Sequence, residues 1–236
     1  MSITADLQKE VKQIFSYADS WDVRKGQRVP EPEDVSLGNG AVELEATVLY
    51  ADLADSTNLV KDYRWWFAAE VCKSYLHCAC KIIRHNGGTI TSFDGDRVMG
   101  IYIGDSKNTS ATKSALQINY CVEKIINPAI KEKFSSTDYV VKQAIGVDTS
   151  KIYAVRTGIR NNNDLVWIGP AANYAAKLCA QRKHDNGAWI TSQIYNNMHE
   201  SVKYGNNGSG ANMWDSQTWD ETGGTVYSSA WIWNPG

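Results

Sequence analysis

Two stretches of this chain carry the residue types that chemistry needs. Residues 46–57, ATVLYADLADST, open as an apolar run through Val48, Leu49 and Tyr50 and end on two acids, Asp52 and Asp55, followed by Ser56 and Thr57. The pattern predicts a buried strand that delivers a carboxylate at its C-terminal end and turns into a helix start, where backbone N–H groups can hold phosphate. Residues 89–103, TITSFDGDRVMGIYI, read as two short strands around Asp94-Gly95, a tight-hairpin signal, with Asp96 directly after the turn. A hairpin lying beside the first strand brings Asp52 and Asp96 together at one end of one sheet. Two carboxylates on a rigid edge, next to an anion-binding helix start, suit a pair of divalent metals gripping a triphosphate. Each piece alone also has a plain reading: an Asp at a strand end is usually a solvated turn residue, and Asp-Gly hairpins commonly bind nothing.

The intervening elements follow from hydrophobic period. Residues 56–86 read as helix with a break near 63–66, burying Val71, Tyr75, Cys78, Ala79 and Ile82 and ending at Asn86-Gly87-Gly88. Residues 109–133 give a second long helix with Ala115, Ile118, Val122 and Ile125 on its inner face and a kink at Pro128. Segments 139–147 and 151–159 are strand-like, and the turn 161–164 leads into a short strand at 165–168. Gly169-Pro170 opens a helix over 171–182; a strand at 188–191 and a short helix at 192–198 complete the core. This order predicts an α+β fold, an antiparallel-centred sheet with helices packed on one face.

The flanks differ from this core. Residues 3–18 place Ile3, Leu7, Val11, Ile14 and Ala18 on one helical face. Docking on the helix's own domain is the favoured reading, and a dimer or partner contact the other. Residues 21–40 read as an irregular linker. From Gly205 a Gly/Asn/Ser-rich stretch (206–212) reads as a flexible loop, and Trp214, Trp219, Trp231 and Trp233 are expected to cover a core edge more than to form a partner surface. The expected divisions are an N-terminal helix and linker (1–40), a catalytic domain (41–204) and a Trp-rich extension (205–236).

Composition excludes some classes. The chain has 236 residues and a formal net charge of −2, so no basic field points to nucleic acid. No apolar run approaches membrane-spanning length, and the first residues, MSITADLQKEVKQ, lack a signal-peptide core. A cytoplasmic protein without a membrane partner is expected. Cys72, Cys78, Cys80, Cys121 and Cys179 lack metal-site spacing and read as reduced core residues.

The motif ADLADST resembles the first metal motif of class III nucleotidyl cyclases, GDRVM (95–99) resembles the second, and IGPAANYAAKL (168–178) resembles the helix that carries the family's asparagine and arginine. The three occur in family order over about residues 44–200. The resemblance implies a ferredoxin-like core. It implies that Asp52 and Asp96, with the carbonyl of Leu53, hold two Mn²⁺ or Mg²⁺ ions per site, and that the N–H groups of Asp55, Ser56 and Thr57 meet the phosphates. It places Asn173 at the ribose, Lys177 at the charge of the α-phosphate, and Lys151 at a basic phosphate-binding position. Because the family draws the aspartates from one subunit and the asparagine and basic residue from the other, it also implies a homodimer with two interface sites.

Departures from the family pattern point further. Lys177 stands where the family has arginine, keeping the charge without the planar fork. Asp55 stands at a glycine; capping of the following helix is a second reading for it. Ser92 and Val166 occupy the base-reading positions and supply neither the Lys–Asp pair used for adenine nor the glutamate used for guanine. Period two puts Tyr50, where most purine cyclases have phenylalanine, on the face of Asp52, suited to a smaller base. The chain is therefore similar to bacterial pyrimidine cyclases that make cyclic UMP or cyclic CMP on phage infection and activate a separate effector. UTP is the expected substrate. The alternatives are CTP, a purine cyclase with an unusual base pocket, and a non-catalytic nucleotide sensor.

Overall fold

A computed structural model describes residues 2–181 and 187–236. In chain order it has helix α1 (Ile3–Phe15), strand β1 (Asp22–Lys25), β2 (Gly40–Leu53), α2 (Ser56–Asp62), α3 (Trp65–His85), β3 (Thr89–Asp94), β4 (Arg97–Tyr102), α4 (Lys107–Tyr120), α5 (Asn127–Lys133), β5 (Gln143–Ile159), β6 (Asn162–Ile168), α6 (Pro170–Cys179), β7 (Ala188–Thr191), α7 (Ser192–Asn197), β8 (Asp215–Thr218) and β9 (Thr225–Ser229). None of the described helices is long and apolar enough to cross a membrane. Contacts divide the chain into two compact units, a smaller one of residues 1–45 with 151–169 and a larger one of 46–150 with 170–236.

In the larger unit the strands run in the order β3-β4-β2-β5-β7-β9-β8, antiparallel except where β5 meets β7. Alternation along each strand sorts side chains to two faces. Leu49, Ala51 and Leu53 of β2, Val98 and Tyr102 of β4, and Ala188 and Ile190 of β7 join one core with Val71, Tyr75, Ala79 and Ile82 of α3 and Ala115 and Ile118 of α4. Trp189, between two of those β7 residues, points the other way and packs with Leu178 of α6 and with Trp219 and Val226 of the tail. So α3 and α4 cover one face, whereas α6 lies on the opposite one.

The helix break falls at Tyr63 and Arg64. Ile125, expected on the inner face, is 46% exposed, and Ile126 is buried in its place. The cause is a π-helical stretch, Cys121–Ile126, whose wider turn shifts the face by a residue just before Pro128 enters the first turn of α5. The two strand-like segments join as one long strand, β5, over 143–159, while residues 139–142 precede it outside any strand. The helix read over 171–182 is described from Pro170 to Cys179, and Arg182 lies outside the described residues. After residues 206–212 the tail adds β8 and β9, which extend the sheet beyond β7; Trp214 and Trp219 are buried, whereas Trp231 is 45% exposed.

In the smaller unit the stretch read as an irregular linker contains β1, which pairs in parallel with residues 40–43 of β2, and β6 pairs with residues 153–159 of β5. Docking of α1 is not observed. None of its residues is buried, and Ile3, Leu7, Val11 and Ile14 are each about half exposed or more. The helix has the amphipathic pattern without a core beneath it.

Candidate active site

The hairpin lies beside β2, and its register sets the site. Tyr50 pairs with Met99 and Asp52 with Arg97; across β3, Met99 pairs with Ser92 and Arg97 with Asp94. Residues directly opposite in an antiparallel pair project to the same side. One face therefore bears two rungs, Tyr50–Met99–Ser92 and Asp52–Arg97–Asp94. It is the face away from α3 and α4, the one on which α6 lies. The turn between β3 and β4 is Gly95-Asp96, with Gly95 at φ +63°, a left-handed conformation that suits glycine. Asp96 is thus one residue from the partner of Asp52, and both acids lie at the same end of the sheet.

The donor set suits a hard cation. One oxygen of Asp96, Oδ2, is buried and has no hydrogen-bond partner, an arrangement that is costly for a carboxylate unless a cation or another donor meets it. Asp52 is half-buried at the strand end and Leu53 is buried beside it. Among the described residues no group of three or more His, Cys, Asp or Glu converges, so two carboxylates and a carbonyl would leave coordination positions for phosphate oxygens and water, as Mg²⁺ sites do.

Asp55 starts α2 at φ +58°, and its side chain makes no capping hydrogen bond. The cap reading is therefore corrected. This backbone conformation explains why glycine suits the position, since among other residues only Asn and Asp adopt it readily. Ser56 and Thr57 form the first turn of α2, half-buried and exposed.

Helix α6 presents Asn173 and Lys177 on its exposed side and buries Ala171, Ala172, Ala175, Leu178 and Cys179. It can press on the sheet because β5 has Gly146 beneath it: a Cβ there would come within 2.0 Å of the Ala175 carbonyl oxygen and 2.5 Å of the Cys179 nitrogen. The Ala171 N–H donates to Ser150 Oγ at 2.9 Å, and the Cys179 thiol donates to the Ala144 carbonyl at 3.2 Å. Tyr174 meets the Trp219 ring edge-on at 5.2 Å. Lys177 Nζ is 2.6 Å from Glu221 Oε2, a pairing that raises the pKa of the lysine.

Two sequence-derived candidates belong to the smaller unit. Lys151 Nζ is 3.3 Å from Glu43 Oε1, and its pKa is raised by that partner. Val166 lies on β6 opposite Val155, 39% exposed.

Sequence reasoning missed Arg97. Its guanidinium donates to Asp94 Oδ2 at 2.5 Å and stands over the Tyr50 ring, 5.3 Å from the centroid. Burial raises the pKa of the Tyr50 phenol, with the Arg97 charge pulling the other way. Counting the register outward from the hairpin turn would have placed Arg97 opposite Asp52. Tyr139 was missed as well. Its hydroxyl is buried without a partner, and its pKa is pushed up to about 12, chiefly by burial, with smaller contributions from charges that include Asp55 and Asp96.

An acid pair at a strand–hairpin junction, with a basic and an amide side chain on a helix over the same sheet, is the arrangement that the resemblance to class III nucleotidyl cyclases implies. The fold agrees: the adenylyl cyclase CyaB from P. aeruginosa superposes with a TM-score of 0.67 over 80% of this chain and 95% of its own, at 17% identity. No protein-family model matches the chain. A uridylate cyclase from Burkholderia cepacia is 46% identical over 235 residues, covering 99% of both chains. Another from Rhodovulum sp. (strain MB263) is 40% identical over 241 residues, covering 100% of this chain and 99% of its own. The chain belongs to the uridylate cyclase family.

Proposed function

We propose that the chain works as its family name states, converting UTP to 3′,5′-cyclic UMP and pyrophosphate. The observation that carries this reading is the buried, unpartnered oxygen of Asp96 beside the Asp52 rung. In the reaction the ribose 3′-hydroxyl loses its proton, a bond forms from the 3′-oxygen to the α-phosphorus, and the bond from that phosphorus to the bridging oxygen of the leaving pyrophosphate breaks. Positioning and charge neutralisation carry most of the rate in such a transfer. Asp52, Asp96 and the Leu53 carbonyl would hold two Mn²⁺ or Mg²⁺ ions, which when bound supply the charge that acidifies the 3′-hydroxyl and neutralises the triphosphate. The N–H groups of Asp55, Ser56 and Thr57 hold phosphate oxygens at the turn into α2. Tyr50 and Ser92 line the base side, and Val166 is assigned there by the family pattern, as Lys151 is to the triphosphate.

Asn173 orients the ribose and Lys177 neutralises the α-phosphate, and we place both in the site of a partner subunit. Their exposure supports this, because it leaves them available to a second copy. The active form is then a homodimer with two sites. Lys177 exchanges Glu221 for phosphate as substrate binds. By resemblance of the motifs, the product is a messenger read by a separate effector in defence against phage. A phage challenge of cells carrying the chain with and without Asp52→Ala tests that role.

The direct test of the reaction is incubation of the purified chain with Mn²⁺ and each of ATP, GTP, CTP and UTP, with products identified by mass spectrometry. Cyclic UMP should dominate. Cyclic AMP or cyclic GMP as the main product would contradict the base-side assignment.

A further inference from the structure

We propose that Arg97 is the residue that reads the uracil base and separates UTP from CTP. The inference rests on the reading above, in which the face of Tyr50 and Ser92 receives the base. Arg97 occupies the middle of that face. It pairs with Asp52 on one side and Asp94 on the other, one rung from Tyr50–Met99–Ser92. Its guanidinium is fixed from two directions, by Asp94 at 2.5 Å and by the Tyr50 ring at 5.3 Å. The side chain is one-third exposed, yet its Nε is buried with no hydrogen-bond partner. A buried donor left unmade in a folded protein calls for a reason, and an acceptor brought by a ligand supplies one.

The chemistry of the bases then decides what Arg97 selects. A guanidinium offers donors and no acceptor. Uracil presents carbonyl oxygens at C2 and C4, both acceptors. Cytosine keeps acceptors at O2 and N3 but has an amino group at C4, so Arg97 separates the two bases at the 4-position, where that amine would meet the guanidinium donor to donor. Adenine carries an amino group and no carbonyl. Guanine has a matching O6, but its bicyclic ring needs space that a tyrosine stacked on an arginine takes up. Neither Ser92 nor Val166 provides such a sign rule. Arg97 does, and Asp94 is the positioning residue that aims it.

The test is kcat/KM for UTP and CTP, measured with Mn²⁺ on the full chain, for the wild type, Arg97→Gln and Asp94→Asn, with thermal melts alongside. Glutamine keeps a polar side chain of similar reach but can accept a hydrogen bond from the cytosine amine. The wild type should prefer UTP. Arg97→Gln should lower kcat/KM for UTP by about 10- to 100-fold, mostly through KM, and raise the CTP-to-UTP ratio at least about 10-fold, the range of a good base contact. Asp94→Asn should move the ratio the same way by a smaller factor. Asp94 is 77% exposed, so this variant carries the test if Arg97→Gln melts early. Equal losses for UTP and CTP with the ratio unchanged would overturn the proposal and make Arg97 a ligand of phosphate or of Asp52. A wild type that makes no cyclic UMP would refute the underlying reaction instead, so the two failures are distinct.

Discussion

The two halves of the site are built in opposite ways. The acids are fixed by backbone: Asp52 is the penultimate residue of a mostly buried strand, Asp96 occupies a tight turn, and the β2–β4 register brings that turn to the same end of the sheet. The amide and the lysine are fixed by packing. They ride on α6, which is seated by a glycine in β5, a hydrogen bond to Ser150 and a tryptophan from the tail. The first half is partly buried and has an unmet oxygen; the second is exposed, with its cation held by a surface acid. A strand end suits groups that must grip metal without moving. An exposed helix face suits groups offered to another subunit.

The sharpest way to break the first half is to remove a carboxylate. Asp52→Ala or Asp96→Ala should lower cyclic UMP formation by on the order of 10³-fold or more. The melting temperature of Asp96→Ala should stay level or rise, because an unpartnered buried oxygen is lost. A large fall in melting temperature would mean that the acid is structural.

The second half should break through its supports. Trp219→Ala removes a buried ring and should cost roughly 3–5 kcal/mol in denaturant unfolding. Gly146→Ala pushes a methyl into the α6 backbone and should cost about 1–3 kcal/mol, lowering kcat with it as Asn173 and Lys177 shift. Unchanged stability in either variant would sever α6 from its proposed seat. The smallest effect sharpens the contrast at the junction: Asp55→Gly relieves a left-handed backbone at φ +58° and should stabilise the fold by about 0.5–1 kcal/mol. It also removes a negative charge beside the phosphates, so KM for UTP should fall.

The first half was the more legible in sequence for the same physical reason. Asp52, Asp96 and the hairpin announce themselves through local pattern, and local pattern is what a strand end and a two-residue turn obey. Arg97 did not, because its neighbours follow only from register between strands far apart in the chain. Ile125 misled because a π-helical stretch leaves no period to count. Helix α1 showed the right amphipathic pattern, yet nothing in its sequence tells whether a core lies beneath it. In the tail, β8 is the polar stretch Asp215–Thr218, which carries no apolar alternation; it forms a strand because β9 offers it an edge. Glu221 beside Lys177 is a tertiary contact without any local signature.

In the proposed dimer, acids from one copy and Asn173 with Lys177 from the other make each site. Mixing Asp96→Ala with Asn173→Ala, each inactive alone, tests it most directly. With free exchange half of the dimers are mixed and each has one intact site, so cyclic UMP formation should recover to about a quarter of the wild-type rate. No recovery, with the mixed dimer confirmed by native mass spectrometry, would contradict the shared site and place both halves within one chain.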